Sequence, residues 1–317
     1  MTEKKIEPDT KTLFGTDRNP SHIMPRKYTL ESKIQFRCHP GVSCFTACCG
    51  NINIILTPFD ILRLRKRLTM AAPEFLHQYT TPIYLEKTDM PGVKLKLNEE
   101  NRCPFVTPEG CTVYTDRPTT CRYYPVGMAN FHERAESNEA SSIAEQFYFV
   151  IQEPHCKGHE EDKIWTIREW REDQGVDRCD EMNKDWMALV MRRKSFGPQA
   201  TLSEKAQRMF FMTSTDLDAF RSFVFESSFL KTYELDEETI AKIREDDIEL
   251  LRFSYRFLAS SLFGTDDLKI RPEKIAAKVQ EMKTDQKEAE KRAEETYRDL
   301  VKMREELAAN SRKTSKE

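Results

Sequence analysis

Eight of the nine cysteines lie in the first half of the 317-residue chain. Cys38, Cys44, Cys48 and Cys49 fall within twelve residues, Cys103, Cys111 and Cys121 follow, and Cys156 closes the set in Pro154-His155-Cys156-Lys157-Gly158. Thiols in this number either pair as disulfides or hold metal. The N-terminal stretch MTEKKIEPDTKTLFGTDRNP has no apolar stretch of a secretory signal. No apolar run approaches the length, about 18 residues, of a membrane span. The expected setting is therefore the reducing cytoplasm, where clustered thiols act as metal ligands or redox groups.

A thiolate is soft and anionic, and four of them satisfy a tetrahedral zinc or iron ion. Cys44 and Cys48 are one helical turn apart. Cys48 and Cys49 are neighbours, so their side chains diverge and bind one ion together less easily than they serve two nearby sites. Eight thiols with one adjacent pair predict two four-thiolate sites or one compact polynuclear cluster. The expected metal set is Cys38, Cys44, Cys48, Cys49, Cys103, Cys111, Cys121 and Cys156, with zinc, iron or an iron–sulfur cluster as cofactor. His39, His155 and His159 adjoin these cysteines; they read as supporting or surface histidines, with replacement of a sulfur as the alternative. Cys179, in the helical stretch DRCDEMNKDW, reads as a small core residue. No catalytic residue is identified.

The elements that must carry these residues are predicted as follows. Thr57 caps a helix with Pro58 at its first position and Asp60 in its first turn. Its Arg63, Arg65, Lys66 and Arg67 read as a solvated face. A short helix starts near Pro73. Residues 93–98 alternate as a strand, 110–114 form a second short strand, and the two make a hairpin bearing Cys103 and Cys111. Residues 142–152 form a strand leading to Cys156. Helices are expected over 164–174, 178–194, 216–231, 237–262 and, highly charged, 272–309. The fold class is thus mainly α, with a small irregular α+β cysteine-rich metal-binding region and a C-terminal helical extension. Four parts are expected: a partly ordered segment 1–30, a cysteine-cluster domain 31–160, a helical domain 161–264, and a charged helix with a disordered tail over 265–317.

With 50 basic and 53 acidic residues the net charge is −3, which gives no general drive towards nucleic acid or an anionic membrane. Only 10 glycines are present, and no glycine-rich nucleotide loop occurs.

The segment CPFVTPEGCTVYTDRPTTCRYYPVG, residues 103–127, resembles the signature of the YkgJ-like cysteine-cluster family, described as zinc- or iron-chelating domains. Cys103, Cys111, Tyr114, Arg117, Pro118, Cys121, Arg122, Tyr124 and Pro125 carry the match, together with the Cys48-Cys49 pair and Cys156 followed by Gly158. The gap between Cys38 and Cys44 is wider than in that pattern. The resemblance covers about residues 36–160 and implies metal chelation without implying a reaction. Arg117 and Arg122 would supply donors to thiolates or loop carbonyls. Two other readings are carried beside it. One is a protein-modifying enzyme related to flagellin lysine methylase, which bears a related cysteine arrangement. The other is a docking module whose metal only holds the fold and whose 272–309 helix recruits a protein partner.

Overall fold

A computed structural model describes residues 26–276, apart from 86–87, 89, 133–142 and 197–200, together with 287, 288 and 296. About half of what it describes is helical, and the strands form small antiparallel sheets, so the fold is mixed α/β. The described residues divide into two compact units, one of residues up to 223 plus 237–267 and one of 224–236 plus 268 onwards. The cysteines all belong to the first unit.

Two hydrophobic clusters organise the cysteine region. The first gathers helix α1 (Pro58–Arg67), helix α2 (Ala72–Tyr79) and the hairpin of β2 (Thr80–Leu85) with β3 (Met90–Leu95). Thr57 caps α1 as the sequence predicts: its hydroxyl accepts the Asp60 N–H at 3.1 Å, and Asp60 accepts the Thr57 N–H at 3.0 Å. Ile61 and Leu64 of α1 pack with Phe75, Val93, Leu95, Phe105 and Val113, and Cys103, Cys111 and Cys121 lie against this cluster.

The second cluster is built on strand β1 (Lys33–Gln35) paired with β8 (Ile164–Thr166), and on β6 (Val126–His132) paired with β7 (Ile143–Val150). Helix α4 (Ile167–Gln174) closes it. Ile34, Phe36, Val126, Val150, Ile167 and Trp170 fill this core, and Tyr124 and Cys156 pack at its edge. The cysteine region therefore shares a core with chain beyond residue 160.

Between the clusters lie the two-residue strands β4 (Val106–Thr107) and β5 (Gly110–Cys111) and the short helix α3 (Thr119–Tyr123). Helix α5 (Val176–Ser195) packs on α1, α3 and α4. Helices α6 (Glu204–Thr215), α7 (Leu217–Glu226), α9 (Glu237–Glu245) and α10 (Asp247–Phe263) follow, with α6 against β3 and α10 against α5. In the second unit, helix α8 (Phe229–Thr232) is followed by Tyr233, which bridges Ile270.

Several elements differ from the sequence expectation. Residues 93–98 do not pair with 110–114. β3 begins at Met90 and pairs with Thr80–Leu85, while β5 folds back on β4. The expected helix over 216–231 breaks where the Ser227 hydroxyl accepts the Phe229 N–H at 3.1 Å. That over 237–262 breaks at Asp246, whose carboxylate accepts the Ile248 N–H at 2.6 Å and starts α10. The helix expected over 272–309 falls largely outside the described residues. Of the basic residues of α1, Lys66 and Arg67 are exposed as expected, but Arg65 is not part of a solvated face. Arg65 is 8% exposed and pairs with Asp218 at 3.2 Å and Asp247 at 3.4 Å, and Lys66 reaches Asp247 at 2.9 Å. Among the described residues no helix is long and apolar enough to cross a membrane.

Candidate metal centre

The first cysteine segment is held by backbone contacts rather than by regular structure. Thr46 takes a left-handed conformation (φ 65°) and leads into a single 3-10 turn, Ala47–Cys49. Arg102 locks this turn, donating to the Thr46 carbonyl and hydroxyl, each at 3.2 Å. The Cys103 N–H then donates to the Cys49 carbonyl at 2.8 Å, so Cys49 and Cys103 are joined directly through the backbone. Arg102 had no signal in the sequence beyond preceding Cys103.

On the other side, the Lys157 N–H donates to the Cys44 sulfur at 3.1 Å. This brings Cys44 beside Cys156. Arg37 donates its N–H to the Gly158 carbonyl at 2.9 Å and ties the segment carrying Cys38 to the same corner. Gly158 has no room for a side chain: a Cβ there would lie 2.7 Å from the Phe36 ring and 2.9 Å from the Arg37 carbonyl.

The thiols fall into two neighbourhoods. The Cys38 thiol is raised to about 11, first by partial desolvation at its sulfur and then by Cys48, Cys44 and Cys156. Cys156 is raised chiefly by burial, with Cys44 and Cys48 adding to it and the neighbouring Tyr124 hydroxyl opposing it. The Cys121 thiol is pushed up to about 12, by burial first, then by Cys103, with a further contribution from Cys111. Cys103 is also raised, by burial and then by Cys111. Cys48 and Cys49 stand between the groups. The Cys48 thiol is raised first by its hydrogen bond to Cys49, and Cys49 lies on the Cys103 side.

Arg117 serves the space between the groups. Its charge lies near Cys38, Cys111 and Cys121, lowering all three against the rise from burial. It stacks over the Tyr114 ring at 4.2 Å and donates to the Gln174 side chain. Its Nε is buried with no partner in the described structure. An unpaired guanidinium N–H beside several thiols fits a site whose sulfurs become anionic on metal binding. Arg122 instead serves loop carbonyls, donating to Arg117 at 3.1 Å, Gln174 at 2.7 Å and Thr115 at 2.5 Å.

Asp60 has a second role that the capping motif did not reveal. It is 1% exposed, and its other oxygen accepts the Thr119 N–H at 2.9 Å and the Thr119 hydroxyl at 2.7 Å. It thereby fixes the start of α3, two residues before Cys121.

The histidines are occupied elsewhere. His39 accepts the Gly41 N–H on Nδ1 at 3.1 Å and pairs through Nε2 with Glu161 at 2.8 Å. His159 Nε2 lies 3.1 Å from the Ile151 carbonyl, and exposed His155 lies 3.5 Å from Glu153. Cys179 is buried apart from the other eight, with Arg63 donating to its sulfur at 3.6 Å.

Eight thiols gathered in two groups, those of Cys38, Cys103, Cys111, Cys121 and Cys156 held above the ordinary thiol value chiefly by burial and that of Cys48 chiefly by its bond to Cys49, match the donor types that zinc and iron take. Among the described residues no group of three or more His, Cys, Asp or Glu side chains is closed tightly enough to hold an ion as it stands.

No curated protein and no solved structure matches the chain. The family model CxxCxxCC, "Putative zinc- or iron-chelating domain", matches residues 37–157, the segment that contains all eight clustered cysteines, and this is the cysteine-cluster family that the Cys103–Pro125 signature resembles.

Proposed function

We propose that this protein chelates zinc or iron through two four-sulfur sites, one formed by Cys38, Cys44, Cys48 and Cys156 and the other by Cys49, Cys103, Cys111 and Cys121. The observation that carries this reading is the division of the adjacent pair. Cys48 shares its electrostatic surroundings with Cys38 and Cys156, while Cys49 is tied to Cys103 by a backbone hydrogen bond of 2.8 Å. The two sulfurs stay within hydrogen-bonding reach of each other, so the division rests on the different contacts on either side of the pair. Each set also rests on its own core, Cys156 on the second cluster and Cys103, Cys111 and Cys121 on the first. Metal binding would release the thiol protons and draw the loops in.

The test is metal analysis of anaerobically prepared protein, with a visible spectrum, across single Cys→Ser variants. Two ions of zinc, or an iron chromophore, should accompany the full chain. C156S and C38S should lower metal at one site and C121S and C111S at the other, with the double variant C156S/C121S additive. If C156S and C121S each remove all the metal together, the sulfurs form a single cluster and the division is wrong.

A further inference from the structure

Away from the eight thiols, the first unit holds a cavity of about 180 Å³ lined by Phe59, Arg63, Thr115, Arg122, Arg178 and Cys179, with Gly175 at its edge. That volume has room for several water molecules. Its lining is dominated by positive charge. Arg122 is 8% exposed, yet every hydrogen bond it makes goes to a neutral carbonyl. Among the described residues it has no carboxylate partner. Arg63 donates to the Thr115 carbonyl at 2.5 Å and pairs with Asp116 at 3.2 Å, the nearest compensating charge. Arg178 is exposed and makes no ion pair among the described residues.

The third wall is the N-terminus of α5. Gly175 sits before it in the left-handed region (φ 63°), and no side chain caps the helix. The opposing carbonyl of Gln174, at the end of α4, is already taken up by Arg122 at 2.7 Å. The helix end adds a partial positive charge, with Asp177 of its first turn drawn off by Arg171 at 2.5 Å. Gly175 also keeps the space open, since a Cβ there would stand 3.3 Å from the Arg122 guanidinium.

We propose that this cavity binds a small oxyanion of the phosphate or carboxylate class, held between Arg122 and Arg178. Three guanidiniums facing one carboxylate leave a surplus of positive charge in a partly desolvated space. Planar guanidiniums match oxyanions with paired hydrogen bonds. Arg178 and Cys179 lie beyond residue 157, where the family match ends, whereas Arg63 and Arg122 lie within it.

The experiment uses the full chain in its metal-bound form, titrated calorimetrically with inorganic phosphate and, in a second arm, with acetate. Arg178 is exposed, so R178E should fold and keep its metal content. Saturable binding of either anion, weakened about tenfold or more in R178E and reduced by added salt, supports the proposal, and the arm that binds identifies the anion geometry. As an independent readout, the binding anion should slow alkylation of Cys179, followed by mass spectrometry. No saturable binding in either arm, or binding that R178E leaves unchanged, overturns it.

Discussion

Replacing Asp60 tests whether the buried carboxylate at the start of α1 sets the position of Cys121. In the native chain its two oxygens accept three hydrogen bonds, from the Thr57 N–H at 3.0 Å, the Thr119 N–H at 2.9 Å and the Thr119 hydroxyl at 2.7 Å. A hydrogen bond to a charged acceptor contributes about 1.5–3 kcal/mol. Asp60→Ala removes three such bonds and leaves two backbone donors without partners. Part of that loss is offset, because the carboxylate itself is desolvated. We expect a net destabilisation of about 3–5 kcal/mol, against a total of about 5–15 kcal/mol for an ordinary domain. Asp60→Asn keeps an oxygen for Thr119 but turns an amide towards the Thr57 N–H, and should lose about 1–2 kcal/mol.

The pH dependence gives a sharper signature. Burial raises Asp60 above the ordinary 3.8, outweighing the hydrogen bonds from Thr119 and Thr57. A carboxylate raised on folding favours the folded state below its unfolded value, and this contribution is lost as pH rises through the folded value. The stability gap between wild type and D60N should therefore widen as pH falls, the reverse of a salt-bridged aspartate. Urea unfolding of the metal-free chain, followed by tryptophan fluorescence at neutral and mildly acid pH, measures both effects. Metal analysis should show D60A losing metal first from the Cys49, Cys103, Cys111 and Cys121 set. A D60A variant within about 1 kcal/mol of wild type, or a gap that widens with rising pH, would refute the reasoning.

Three further outcomes are expected. The thiols of Cys38 and Cys121, raised from 9.0 to about 11 and about 12, hold their protons more tightly folded than unfolded. The metal-free protein should keep that contribution below pH 9 and lose it as pH rises through 11, whereas metal affinity should rise with pH; denaturation and competitive chelation across pH measure the two trends. Gly158→Ala should destabilise by about 1–3 kcal/mol, since its Cβ would meet the Phe36 ring at 2.7 Å, and circular dichroism melting reads this out. Cys179→Ser should leave metal content unchanged by elemental analysis, because Cys179 is buried beside Arg63 and away from both sulfur groups.

What the sequence disclosed is what is local. Thr57, Pro58 and Asp60 announce a helix start within four residues, and the β-branched and aromatic run before Cys156 announces β7. The signature residues from Cys103 to Pro125 lie within the segment that the family model matches. What stayed hidden depends on partners far away in the chain. The β2 strand contains Pro82, which reads as a breaker and hides the true partner of β3. β6 contains Gly127 and shows no clean alternation. Arg65 resembles a solvated helix residue until Asp218 and Asp247, 153 and 182 positions onward, close on it. The Asp60 contact to Thr119 spans 59 positions, so the local motif explained only half of the carboxylate.

The same distinction explains why the adjacent cysteines matter more than their number. A single cluster would let any one core hold the whole donor set. In the proposed division Cys156 leans on one core and Cys103, Cys111 and Cys121 on the other, and the pair Cys48-Cys49, set by one 3-10 turn and clamped by Arg102, joins the two sets. Shifting that turn by one residue would exchange the sulfurs between neighbourhoods, so the left-handed Thr46 and the Arg102 clamp hold the register of the turn. Arg102→Ala removes two hydrogen bonds of 3.2 Å each to Thr46 without touching a sulfur. If the division into two sites is correct, this variant should weaken metal retention at both sites together, measured as chelator release rates for each ion. Loss confined to one site would mean that Cys48 and Cys49 are positioned independently and that the turn does not couple them.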